Sequence, residues 1–132
     1  NPNVASVCVG ITNFGQIREY AEAAATRLTE PEVAMLHNYA GEMYDKYCRF
    51  CKTCEASCPH DVAVAEVMRY AMYFKYYGRE KDSMELYSSL AGKCTAADCE
   101  RCSAPCDAAC PFGRRVKDEL VEAHQLLSFE RA

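Results

Sequence analysis

Cysteines are the residues of this chain most able to do chemistry. There are 10 among 132 residues, and eight of them lie in two short runs that each end in Cys-Pro. The runs are Cys48-x-x-Cys51-x-x-Cys54-x-x-x-Cys58-Pro59 and Cys99-x-x-Cys102-x-x-x-Cys106-x-x-x-Cys110-Pro111. A small chain this rich in cysteine is either cross-linked by disulfides or binds metal. The beginning of the chain shows no secretory signal pattern. Together with the dense spacing, this favours metal binding.

The spacing within each run predicts iron–sulfur clusters. Three thiolates at short steps can surround one 4Fe–4S cube, and in two-cluster ferredoxins the last cysteine of each run ligates the other cluster. The proline after that cysteine keeps the ligand extended and prevents a helix from running through it. We therefore expect the two runs to exchange their last ligand. The predicted sets are Cys48, Cys51, Cys54 and Cys110 for one cluster, and Cys99, Cys102, Cys106 and Cys58 for the other.

Zinc is the alternative metal, because Cys-x-x-Cys pairs also bind tetrahedral zinc. Zinc sites usually combine two separated pairs, whereas each run here packs four cysteines closely together. The two remaining cysteines are not expected to be ligands. Cys94 precedes a run that already supplies four thiolates, and Cys8 lies in an apolar segment that predicts a buried structural thiol.

The elements around these runs are predicted to be mainly helical. Residues 4–9, before Gly10, have the pattern of a short buried strand. Thr29 and Glu32 form a capping box at the start of the second predicted helix. Asp61 is the expected N-cap, and Gly78 the expected C-cap, of the helix after the first run. The predicted helices cover residues 14–28, 30–47, 62–77, 80–91 and 116–127.

Charge and hydropathy exclude two classes of partner. The formal net charge is −4 and the pI is near 5.4, so a basic nucleic-acid surface is not expected. No apolar run approaches the roughly 20 residues of a membrane span. Arg114, Arg115 and Lys117 follow the second run and are interpreted as a solvated face; the alternative is that they dock an acidic partner or balance an anionic cluster. His60 is interpreted as a turn residue, with a hydrogen bond to a cluster sulfur as the alternative.

With these motifs in place, the chain resembles the carboxy-terminal part of aldo/keto reductase-like oxidoreductases that carry a dicluster 4Fe–4S ferredoxin domain. The resemblance rests on residues 1–10, on the segment Gln16-Ile17-Arg18-Glu19-Tyr20 and on the lead-in Ala97-Asp98-Cys99. It implies an α-helical dicluster ferredoxin-like domain at 48–132, a linker helix at 30–47, and the last strand and helix of a TIM barrel at 1–29. In an intact parent enzyme, NADP would contact positions Gly10, Asn13, Gln16 and Glu19.

The expected function is electron transfer through two 4Fe–4S clusters. The resemblance places the family's catalytic residues on earlier barrel strands, so this chain by itself is not expected to reduce a carbonyl. Its expected partners are the parent barrel domain or a separate redox protein. Its expected compartment is a reducing cytoplasm. The alternative function is that of a zinc-stabilised structural or interaction module.

Overall fold

A computed structural model of the chain describes residues 3–44, 46–90 and 94–129. In this part of the chain the structure is mainly helical and contains no strand, which confirms the predicted α class. The α-helices are α1 (Phe14–Ala25), α2 (Glu30–Glu42), α3 (Val64–Tyr76), α4 (Glu80–Ser88), α5 (Pro105–Ala109) and α6 (Val116–Leu127). None of the described helices is both long enough and apolar enough to cross a membrane.

The chain divides into two units, residues 1–41 and residues 42–132. Among the described residues of the first unit none is buried. The prediction of a buried strand at 4–9 is wrong, because Val4, Val7 and Val9 are between 50% and 73% exposed and have no strand partner. Cys8 is also exposed, so the prediction of a buried thiol is wrong for the same reason. An isolated strand without a neighbour to pair with is not stable in water.

The helices of the first unit are held by local capping. Half of the predicted capping box at α2 is present: the backbone N–H of Thr29 donates to Glu32 Oε2 at 2.7 Å, and the Thr29 hydroxyl donates to the same oxygen at 2.8 Å. Helix α1 ends at Ala25 and α2 at Glu42, so both are shorter than predicted. The apolar residues that suggested longer helices have no core to cover here, and Leu28, for example, is 60% exposed.

The second unit contains the hydrophobic core, which lies between α3, α4 and α6. Helix α6 occupies the predicted residues, and Leu120 and Leu127 on its inner face are 1% and 0% exposed. Gly78 follows α3 with φ +62°, the left-handed conformation expected after a helix. Helix α4 ends at Ser88, and Gly92, its predicted end, lies outside the described residues.

The two cysteine runs and the helices after them are related by an internal repeat of 52 residues. Cys54, Cys58 and Val64, the first residue of α3, correspond to Cys106, Cys110 and Val116, the first residue of α6. The two copies share two left-handed positions from Lys52 and Ala104 onward, but differ before them, since Phe50 has φ +53° and its counterpart Cys102 has φ −78°. Left-handed residues stand at equivalent places, Lys52 and Ala104 before the buried cysteine and Asp61 and Gly113 after the proline.

The repeat explains how α3 and α6 begin. The prediction of Asp61 as N-cap is wrong, because Asp61 lies in the left-handed turn and α3 begins only at Val64. The N–H of Ala65 instead donates to Glu55 Oε1 at 2.8 Å. The equivalent Lys117 N–H donates to Asp107 Oδ1, also at 2.8 Å. Each carboxylate directly follows a buried cysteine, so the helix start is fixed relative to that cysteine.

Candidate metal centres

Four cysteines line a pocket between the first run and the end of the second, here called pocket A. They are Cys48, Cys51, Cys54 and Cys110, which is the first predicted ligand set. The cavity enclosed by the lining residues has a volume of about 20 Å³. Apolar side chains of α3 and α6, among them Val64, Met68 and Val116, form the remaining inner wall. Cys110 of the second run thus lines the same pocket as three cysteines of the first run.

The other four cysteines line a second pocket, here called pocket B. They are Cys58, Cys99, Cys102 and Cys106, which is the second predicted set. Its cavity volume is about 10 Å³, and the wall includes His60, Pro105, Lys117 and Leu120. Each pocket thus receives three thiols from one run and one from the other. The repeat relates Cys54 of pocket A to Cys106 of pocket B, and Cys110 of pocket A to Cys58 of pocket B.

Burial keeps the central thiols protonated when no metal is bound. Cys54, Cys99 and Cys106 are 7%, 5% and 6% exposed. Desolvation is the main reason that the pKa of each is raised to about 11. Neighbouring negative charge adds to the rise: Cys58 is the first such neighbour of Cys99, and Asp107 that of Cys106. Bound cations reverse this balance, since a coordinating thiol loses its proton.

Hydrogen bonds reach two of the sulfurs in pocket A. The hydroxyl of Thr53 donates to Cys51 Sγ at 3.3 Å, and this contact lowers the pKa of the exposed Cys51 thiol. The N–H of Phe50 donates to Cys48 Sγ at 3.5 Å, although burial is the larger effect and raises the pKa of Cys48. Donors to ligand sulfurs are among the groups that set a cluster's reduction potential.

Two basic residues at the start of α6 face the pockets. The interpretation of a solvated face is wrong for Arg114, whose side chain is 9% exposed and lies 2.6 Å from Glu119. It is also wrong for Lys117, whose Nζ donates to the Cys102 carbonyl at 2.8 Å and which lines pocket B. The interpretation of a solvated face is correct for Arg115, whose side chain is 83% exposed and lies beside Asp118. The first two are covered because the start of α6 packs against the second run.

The thiols are not paired and do not meet at a single point. All ten cysteines lie within the described residues, and every one is free rather than in a disulfide. Across the described ranges, no three His, Cys, Asp or Glu side chains are close enough to hold one metal ion. Cys94 lies outside the lining of both pockets, and its carbonyl accepts the N–H of Ala63 at the start of α3.

The residues that the resemblance assigns to NADP lie in the first unit and are used in local hydrogen bonds. Asn13 Oδ1 accepts the Gln16 N–H at 3.1 Å and caps α1. Gln16 Oε1 accepts the N–H of Thr12 at 2.7 Å. The Gly10 carbonyl lies 3.5 Å from the Tyr20 hydroxyl, and Glu19 is exposed. Their assignment to NADP stays a prediction.

A buried tyrosine beside the second run was not anticipated from the sequence. Tyr87 on α4 is 3% exposed, and its hydroxyl accepts the Ala96 N–H at 2.9 Å and lies 2.6 Å from His124 Nδ1. It thereby joins α4 and α6 to the segment that leads into Cys99. No sequence pattern marks this contact, whereas the carboxylates of Glu55 and Asp107 could have been found by aligning the two runs.

Comparison with known proteins identifies no relative. No protein family, no curated protein and no solved structure matches the chain.

Proposed function

We propose that residues 42–132 bind two 4Fe–4S clusters and transfer electrons through them. The observation that carries this proposal is the sorting of eight cysteines into two pockets, three from one run and one from the other in each. This is the ligand exchange typical of two-cluster ferredoxins. When bound, such clusters supply one-electron redox chemistry.

The chain's own residues support this role in three ways. Buried Val64 lines pocket A and buried Leu120 lines pocket B, and these apolar side chains limit the access of water to the pockets. The caps from Glu55 and Asp107 fix α3 and α6 relative to the cysteines that precede them. Lys117 and Arg114 place positive charge beside pocket B and pocket A, which favours the anionic thiolates of a loaded site.

A zinc site makes a different geometric demand on the same cysteines. Zinc requires four sulfurs about 2.3 Å from one ion, so all four must converge on a point. The thiolates around a cube bind four different irons and surround a larger body. Among the described residues, no three such side chains are arranged to hold a single metal ion, and metal analysis distinguishes the two candidates directly.

We also propose that this domain belongs to a larger oxidoreductase of the aldo/keto reductase type in a reducing cytoplasm. The support is the sequence resemblance alone, including residues 1–29 and the NADP positions given above. In that setting, the barrel would bind the nucleotide and substrate. The present chain would then exchange electrons between the barrel and a redox partner.

The test is anaerobic reconstitution of the full chain with iron and sulfide, followed by metal counting and spin resonance of the reduced sample. Two cubes predict about eight irons per chain and a reducible signal. Cys8→Ser and Cys94→Ser are matched controls outside both pockets and should leave the iron count unchanged. Stoichiometric zinc without bound iron, or disulfides in place of free thiols, would refute the proposal.

A further inference from the structure

A groove opens beside pocket A on the surface of the second unit; we call it the tyrosine groove. Its volume is about 250 Å³. It shares three lining residues with pocket A, namely Cys48, Met68 and Arg114. A ligand in the groove would therefore be separated from the pocket of the first run by these side chains alone.

The walls of the groove are aromatic and its floor is apolar. Tyr47 and Tyr76 stand edge to face with their ring centroids 6.1 Å apart, and they are 46% and 65% exposed. Met68 and Ala71 of α3 form the floor, and both are 7% exposed. Rings held in this way, over a water-excluding floor, suit contact with another flat ring, since aromatic pairs stack or meet at their edges. The groove therefore favours a planar aromatic ligand.

The charged residues around the groove favour an anion. The cations Lys46, Lys75 and Arg114 line it together with the carboxylates Glu119 and Glu122. Two of the cations are matched by these carboxylates, in the Lys75–Glu122 pair at 2.7 Å and the Arg114–Glu119 pair at 2.6 Å. Among the described residues that line the groove, Lys46 leaves one positive charge in excess. A ligand with its ring on the tyrosines and an anionic group toward Lys46 would satisfy both features.

We propose that the tyrosine groove binds an exchangeable planar aromatic redox carrier that bears an anionic group, such as a flavin mononucleotide or an anionic quinone. The groove is slightly smaller than the roughly 300–1,000 Å³ of pockets that enclose a drug-sized ligand. It would cover a ring system and leave the anionic tail exposed to solvent, which allows the bound carrier to exchange. The inference rests on the proposed electron-transfer function, because the carrier would be the small molecule that exchanges electrons with the clusters.

The experiment measures binding directly, by equilibrium dialysis against the reconstituted full chain. The probes are flavin mononucleotide, riboflavin and anthraquinone-2-sulfonate. We expect saturable binding of at least one anionic probe, with flavin mononucleotide bound more tightly than riboflavin if the flavin ring is the one accepted. Tyr76→Ala should weaken the binding by about 2- to 13-fold, the range that one ring contact contributes. Lys46→Gln should weaken the anionic probes and leave riboflavin unchanged.

Tyr77→Ala and Lys81→Gln are the matched controls. Tyr77 is 63% exposed, like Tyr76, but does not line the groove, and Lys81 is an exposed cation on α4. Equal losses with Tyr76→Ala and Tyr77→Ala would overturn the proposal, as would binding of neither anionic probe. The iron count of each sample distinguishes a failure of the groove proposal from a failure of the proposed function. If no anionic probe binds to a sample that contains about eight irons, only the groove proposal is refuted.

Discussion

Double cysteine replacements can determine whether the two runs exchange their last ligand. The structure places Cys58 in pocket B with Cys99, and Cys48 in pocket A. In the variant Cys58→Ala with Cys99→Ala, both changes fall on one pocket, which keeps two of its four thiols. In the variant Cys58→Ala with Cys48→Ala, each pocket loses one thiol. The two variants remove the same number of cysteines and so serve as controls for each other.

The iron count follows from this distribution. Two thiolates cannot hold a cube that normally has four, so the Cys58/Cys99 variant should keep about four irons and one unaltered cluster signal. The Cys58/Cys48 variant should keep no unaltered signal, because both sites lack a ligand. The assay is iron analysis and spin resonance after anaerobic reconstitution. If the Cys58/Cys48 variant instead retains one normal cluster and the Cys58/Cys99 variant retains none, each run fills its own site and the reasoning is wrong.

Three further predictions concern the surroundings of the pockets. Asp107→Ala removes the charged cap of α6 and should lower the free energy of unfolding, measured by urea titration, by about 1–2 kcal/mol. The control Glu85→Ala, on the exposed face of α4, should lower it by less than about 0.5 kcal/mol. Lys117→Met removes a cation beside pocket B and should make the potential of that cluster more negative in a redox titration; an equal change in both clusters would contradict a local effect. In the cluster-free protein under reductant, burial raises the pKa of three thiols from 9.0 to about 11. Between pH 9 and pH 11 the folded state therefore binds more protons at these thiols than the unfolded state does. The free energy of unfolding should therefore fall as pH rises from 9 to 11, and a urea midpoint that stays constant over this range would refute the assignment.

The sequence was most informative where spacing alone determines structure. The bounds of α6 could be predicted, because they depend on a local pattern of apolar residues. The assignment of the eight cysteines to two clusters stays a prediction. The capping box of Thr29 and Glu32 is local in the same sense. In each case the interacting residues are close in sequence or related by the repeat.

The errors concern residues whose environment depends on the rest of the fold. Val7 has the composition of a strand residue, but a strand forms only beside a partner, and the described chain offers none. Arg114 and Lys117 resemble exposed charges until the packing of α6 against the second run covers them. Aspartate is a common N-cap residue, but Asp61 lies in the left-handed turn after the proline and not at the start of α3. The carboxylate of Glu55 accepts the N–H at the start of α3 instead.

The lowered pKa of Cys51 has a consequence for the chain before any cluster is bound. Among the eight cysteines that line the pockets, Cys51 is exposed, and its hydrogen bond from Thr53 favours the thiolate form. Thiolates rather than thiols are the form that attacks electrophiles and captures soft metals. An alkylating reagent at neutral pH should therefore modify Cys51 well before the buried Cys54. An iron donor approaching from solvent would meet the same sulfur first.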